Sequence, residues 1–182
     1  MTLHASNIRT NHYHHAQSGV ALIVSLIILL VMTMLGIAGI RSVTQEERMS
    51  AHTYDRSLAF QAVENALRSA EVLLETVKPT PVAGSGCNVV SLLMVCSKPA
   101  PTDTARWMDT SFASWQNSSA VGAGTLTVTP QYFVEYLGNT FQCQPGNASD
   151  TMDCKRYRVT ARSGDGTDGR ASVMLQSIYA TD

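Results

Sequence analysis

From Val20 to Ile40 the chain runs for 21 residues without a charge, between a polar leader and Arg41. At about 1.5 Å rise per residue, a helix of that length spans roughly 31 Å, the thickness of a bilayer's hydrocarbon core. A helix in a soluble domain shows a polar face over such a length. This one shows none, so the stretch predicts a membrane-resident helix. It is a poor secretory signal, whose apolar region is about 7–15 residues and ends in a small-residue cleavage site. Ile37-Ala38-Gly39-Ile40-Arg41 is no such site. Two readings remain: a plain single-pass anchor, or a segment whose leader is removed after Gly19, which stands directly against the apolar run.

Cysteine usage says which side of the membrane the rest occupies. Cys87 and Cys96 lie nine residues apart and Cys143 and Cys154 eleven apart, neither being the C-x-x-C spacing of a zinc or redox motif. Four cysteines allow three connectivities. The local one, Cys87–Cys96 with Cys143–Cys154, closes two short loops and is the expected one. Disulfides need an oxidising compartment, which puts the head outside the cytoplasm. Charge argues the other way, because Arg9 is the leader's only arginine or lysine while Arg41, Arg48 and Arg56 follow the apolar run. The positive-inside rule alone would leave the head in the cytoplasm; the cysteines and the leader pattern outweigh it. A formal net charge of −1 offers no clustered basic surface, so no nucleic-acid partner is expected.

Within the apolar run Gly36 and Gly39 stand out. Each weakens a helix by about 1 kcal/mol relative to alanine, and in lipid small residues let helices approach closely, so they are read as helix-packing positions. After Arg41 the pattern stays helical. Phe60, Val63, Leu67, Ala70, Leu74 and Val77 recur at steps of three and four, with Glu64 and Arg68 at the supportive i, i+4 spacing. Lys78-Pro79-Thr80-Pro81 stops the helix. One helix from Val20 to Val77 would hold 58 residues and measure roughly 87 Å. The chain therefore divides into a leader (1–19), a membrane and assembly half-helix (20–40), an amphipathic half-helix (41–78) and a globular head (79–182).

The head begins with a Pro-, Gly- and Ser-rich stretch to Gly124, holding one apolar run, Val89 to Val95. Trp107, Met108, Phe112 and Trp115 are spaced for one side of a short helix or a loop packed on the core. Strand patterns follow at Leu126–Thr129, Gln131–Leu137, Tyr157–Arg162 and Ala171–Tyr179, the last two joined as a hairpin by Ser163–Gly169. The fold class expected is α+β: a long N-terminal helix, its first half membrane-spanning, packed on a small antiparallel sheet of about four strands.

Catalytic and metal constellations are sparse. His4, His12, His14 and His15 sit in an aperiodic leader, and after it only His52 remains. The segment Asp165-Gly166-Thr167-Asp168-Gly169 lacks the third acidic position and distal Glu of an EF-hand loop and reads as turn chemistry. Asn117-Ser118-Ser119 and Asn147-Ala148-Ser149 match the glycosylation sequon, a frequent chance match. No nucleophile–base set, phosphate loop or HExxH is present. An enzyme is not expected, nor a metal or cofactor.

The stretch from Ser18 to Glu71 resembles the PilX-type minor pilins of type IV pilus systems. It does so in the Gly19 junction, the apolar run, Thr44-Gln45-Glu46-Glu47-Arg48-Met49, Asp55-Arg56, and the block from Ala59-Phe60-Gln61-Ala62 to Glu71. The ending from Tyr157 to Tyr179 is similar to the same proteins, less distinctively. The resemblance implies a pilin-like fold and a subunit held in the inner membrane with a periplasmic head. Prepilin peptidase would cut between Gly19 and Val20 and methylate the new amino group of Val20. The subunit would join other minor pilins, with a tip adhesin, in a complex that primes pilus assembly, and would be extracellular in the finished fimbrium. Twitching motility and adhesion would depend on it. Major pilins carry glutamate at the fifth position after the cut, and here that position is Val24. The nearest rival is a minor pseudopilin of a type II secretion system, whose tip subunits are usually larger than the 163 residues that follow Gly19. From a different class, a single-pass periplasmic binding protein would fit a retained leader.

Overall fold

The computed structural model describes residues 19–181 apart from 83, 85, 145, 147, 148, 150 and 168. The leader histidines, Arg9, Asp168 and Asn147 of the second sequon lie outside the described residues. Helix α1 (Val20–Val77) is one unbroken helix of 58 residues. The chain forms two compact units, residues 1–48 and 49–182, with the division inside α1. The described part of the first unit is Gly19 and residues 20–48 of α1, exposed throughout.

The second unit holds residues 49–77 of α1 and a six-stranded sheet made of β1 (Cys87–Val90), β2 (Leu93–Ser97), β3 (Gln116–Asn117), β4 (Gln131–Phe141), β5 (Cys154–Arg162) and β6 (Met174–Ala180). The order is β1-β2-β4-β5-β6, with β3 paired to the start of β4. All neighbours are antiparallel except β2 and β4, which are parallel with Val95 opposite Val134. The expected four-stranded antiparallel sheet is therefore corrected to a larger, mixed one. Its parallel pair requires a crossover, and residues 98–130 supply it.

Two local expectations change for identifiable reasons. The apolar run at 89–95, read as part of a loop, is the β1–β2 hairpin, turning at Ser91 and Leu92 with φ of 45° and 72°. Turns with positive φ at both central residues usually announce themselves by Asn-Gly or Gly-Gly, and this one does not. The expected strand at Leu126–Thr129 is absent. Gly122 and Gly124 turn the chain into a 3-10 turn (Gly124–Leu126) instead, and only the single bridge Val121–Val128 survives. A Cβ on Gly122 (φ +109°) would run into the Leu126 carbonyl.

The core lies between α1 and the sheet. Val63, Ala66, Ala70 and Leu74 pack on Leu93, Val95, Tyr132, Val134, Tyr157, Val159 and Ala161. The helical stripe is rotated from the expected one. Ala59, Ala62, Ala66 and Ala70 are at most 1% exposed, whereas Phe60 is 44% exposed. Small side chains form the buried face of the helix there, and Phe60 is left at the margin of the contact. At its end α1 is tied down. Lys78 (φ 45°) donates its N–H to the Leu74 carbonyl at 2.9 Å. Lys155 Nζ donates to the Lys78 carbonyl at 2.7 Å and the Tyr157 hydroxyl to the Pro79 carbonyl at 2.8 Å. A cation at a helix C-terminus is favourable. Burial pushes the Tyr157 phenol well above its ordinary pKa.

The far face of the sheet is covered over β4 by the crossover. Phe112 and Trp115 pack on Phe133 with ring centroids 4.7 and 4.8 Å away. Arg158 lies over Trp107 and Arg162 over Trp115. Met108, grouped with these aromatics in the sequence, is 70% exposed. Beneath the crossover Glu135 is fully buried, its Oε1 accepting from Arg106 at 2.6 Å and its Oε2 from Arg158 at 3.3 Å.

Candidate assembly interface

The first unit presents a helix without a polar face. Between Val20 and Ile40 the large apolar side chains are 47–69% exposed, and the most apolar 18-residue window of α1 has a mean hydropathy of 3.0. Its two hydroxyl side chains are satisfied within the helix: Ser25 Oγ donates to the Leu22 carbonyl at 2.9 Å and Thr33 Oγ1 to the Leu30 carbonyl at 2.8 Å. Every side-chain donor of the run is thus spent locally, as a lipid or a helix bundle demands. α1 begins at Val20, so the Gly19–Val20 peptide lies at the helix boundary. A Cβ added at Gly19, Gly36 or Gly39 would meet nothing within 4 Å. The fold of this chain gives no reason for glycine at any of the three. Val24 is exposed on the same helix, with no charged side chain of the described residues within a turn of it.

In the second unit, side chains of α1 meet the last strand and the segment before it. Asp55 is the centre. Its Oδ2 accepts from the Ala171 N–H at 2.6 Å, and its Oδ1 from Arg170 Nη2 at 2.6 Å and Nε at 2.9 Å. The Ala171 amide first, and the Arg170 guanidinium second, hold the Asp55 carboxyl below the usual carboxylate range. Further along α1, Glu71 accepts from Ser177 Oγ and Glu75 from the Tyr179 hydroxyl, both at 2.8 Å. The sequence singled out none of these acceptors, because each partner lies more than 100 residues away. Asp55 did fall in a block that carried the family resemblance.

A group whose folded pKa is depressed stabilises the fold above its unfolded pKa and loses that contribution as pH falls through the folded value. Asp55→Asn is therefore expected to cost about 2 kcal/mol at pH 7, the range for hydrogen bonds to a charged group. The difference from the unsubstituted protein should shrink as pH drops below about 3.9. Thermal unfolding of the detergent-purified chain at pH 7 and at acid pH checks it; a gap that is constant with pH would contradict the assignment.

The other candidate positions are placed as follows. Cys87 is bonded to Cys96 across the β1–β2 hairpin and Cys143 to Cys154. Cys143, Cys154 and Asp153 are the one gathering of metal-ligand types among the described residues, and both sulfurs are consumed in the disulfide. Asp165 accepts from the Thr167 N–H and hydroxyl, at 3.1 and 2.7 Å, in the turn between β5 and β6. Asn117 is in β3, its Oδ1 accepting from Gln131 at 2.9 Å. His52 is exposed on α1.

Two family models match the chain: PilX N-terminal over residues 18–68, and type IV pilus assembly protein PilX C-term over residues 84–181. No curated protein and no solved structure matches it.

Proposed function

The chain belongs to the PilX family of type IV pilus assembly proteins, and from that premise we propose that it is a minor pilin that primes pilus assembly. Prepilin peptidase cuts Gly19–Val20 and methylates Val20. The segment 20–40 then holds the subunit in the inner membrane by a single pass, with the head in the periplasm. Other minor pilins pack against the apolar half-helix, with Gly36 and Gly39 as points of close approach, and the complex sits at the fibre tip with an adhesin. Twitching motility and adhesion follow from the fibre, and the chain's own role is structural rather than catalytic.

The observation that carries this reading is a helix that begins one residue after a glycine and stays apolar on every side for 21 residues. A membrane anchor needs the apolar run alone. The bare glycine at the boundary, unrequired by the fold, is what a peptidase acting there needs.

The test is the intact mass of the membrane-extracted protein from cells with and without prepilin peptidase. The expected mass is that of N-methylated Val20 to Asp182 less four hydrogens, with the longer chain only in the peptidase-deficient strain. A chain that keeps residues 1–19 in both strains would sink the reading and leave an ordinary anchored domain.

A further inference from the structure

β6 ends the sheet, and its outer side is open. Thr181 N–H donates to the Lys155 carbonyl at 3.0 Å and Ser163 N–H to the Val173 carbonyl at 2.9 Å. Between them the register sets Tyr179 opposite Tyr157, Ser177 opposite Val159 and Leu175 opposite Ala161. Bonded and non-bonded pairs alternate along an antiparallel ladder. The odd-numbered residues therefore spend their amides and carbonyls on β5, while Met174, Gln176, Ile178 and Ala180 turn theirs outward. Among the described residues no strand takes these up.

Proteins protect such edges with short strands, lysine, proline or bulges. β6 has none of them: it is seven residues long, uncharged and proline-free, and its register with β5 is unbroken. Met174 and Ile178 on its far face are 42% and 65% exposed. The opposite edge, β1, has four residues and is stapled by Cys87–Cys96.

The open edge borders a groove along the exposed flank of α1. Near residue 60 the groove is lined by Phe60, Met174 and Leu175. Arg56 also lines that end; further on the lining carries Glu64, Glu71 and Glu75 with Arg68, and Lys78 Nζ lies 3.6 Å from Glu75 Oε1. We propose that β6 receives an extended strand from a different subunit of the same assembly. That strand carries a basic residue over Glu71 and Glu75, an apolar one over Phe60, and apolar residues on its other face beside Met174 and Ile178. Main-chain bonds would give such a strand its affinity, and the alternate side chains its specificity.

A second copy of this chain does not fit. Its β6 could pair in register, Met174 with Ala180 and Gln176 with Ile178, about an axis normal to the sheet. That pairing would bring two acidic flanks together. The proposal rests on the proposed function in one respect, that the partner belongs to the pilus assembly.

The test places a photocrosslinking amino acid at position 178 of the full chain in piliated cells. Adducts are expected to map to an extended segment of another pilus subunit. Gln176→Pro removes an outward N–H and leaves the main-chain ladder to β5 in place, at the cost of the one side-chain bond from Gln176 Nε2 to Thr160 Oγ1 at 3.0 Å. It should cut the adduct yield about tenfold or more. Glu64→Lys, an exposed change on the same flank that touches no bond to β6, should lower the yield as well and serves if the proline variant accumulates poorly. Adducts with a second copy of this chain, no adduct in cells whose pili assemble normally, or adducts undiminished in both the Gln176→Pro and Glu64→Lys variants would each overturn the proposal. Failure of the broader reading shows separately, as an intact mass that still includes residues 1–19.

Discussion

Replacing Arg106 and Arg158 together by alanine is expected to destabilise the second unit by about 3–5 kcal/mol, the cost of leaving a buried charge without its partner. Glu135 is fully buried between them, one carboxylate oxygen bonded to each guanidinium, while the arginines are 17% and 28% exposed. The asymmetry decides which partner matters. An arginine that loses Glu135 can turn its head toward water; Glu135 on a central strand cannot. Either single alanine variant should cost less, because the second cation remains. The control is the triple variant with Glu135→Leu as well. Exchanging a buried ion set for apolar side chains is often neutral, so stability should recover most of the loss. Denaturant unfolding of the purified chain, with an unchanged m-value, gives the comparison. A double variant within about 1 kcal/mol of the unsubstituted protein, the upper range for an exposed pair, would mean that water reaches Glu135.

Glu135 also marks where sequence reasoning stops. The segment Gln131–Leu137 reads as a strand, and it is one, extended to Phe141. Nothing local says that its glutamate faces inward, because the two cations lie 29 and 23 residues away. Features written in adjacent residues are legible: the uncharged run, the stop at Lys78-Pro79, the alternation in β5 and β6. The parallel pairing of β2 with β4 is not, since it depends on where a crossover travels. The Asp55 clasp was hidden for the same reason. One signal of the buried face does stand in the sequence. Ala59, Ala62, Ala66 and Ala70 recur at steps of three and four on one face, the spacing of a buried helical stripe. Following the larger residues instead rotated the stripe toward Phe60, which the structure leaves exposed.

Val24→Glu is expected to change where in the fibre this chain is found. A carboxylate at the centre of a membrane helix costs on the order of 3 kcal/mol on insertion scales. Among the pilins that this chain resembles, the major subunits carry that glutamate, and the cost is offset when it pairs with the amino terminus of a neighbouring helix. A subunit that enters first has no such neighbour, so valine suits it, and valine also gives it nothing with which to enter repeatedly. Supplying the carboxylate removes both conditions. The number of copies of this chain per major subunit in sheared, purified fibres should then rise several-fold, on the order of the tenfold preference that about 1.4 kcal/mol confers. Dividing by the membrane pool keeps a change in insertion from being mistaken for a change in placement. Val24→Gln, polar but uncharged, should leave the ratio where it was, because an amide cannot pair ionically with the incoming amine. A normalised ratio that stays low for Val24→Glu would mean that residue 24 does not set how often this chain enters the fibre.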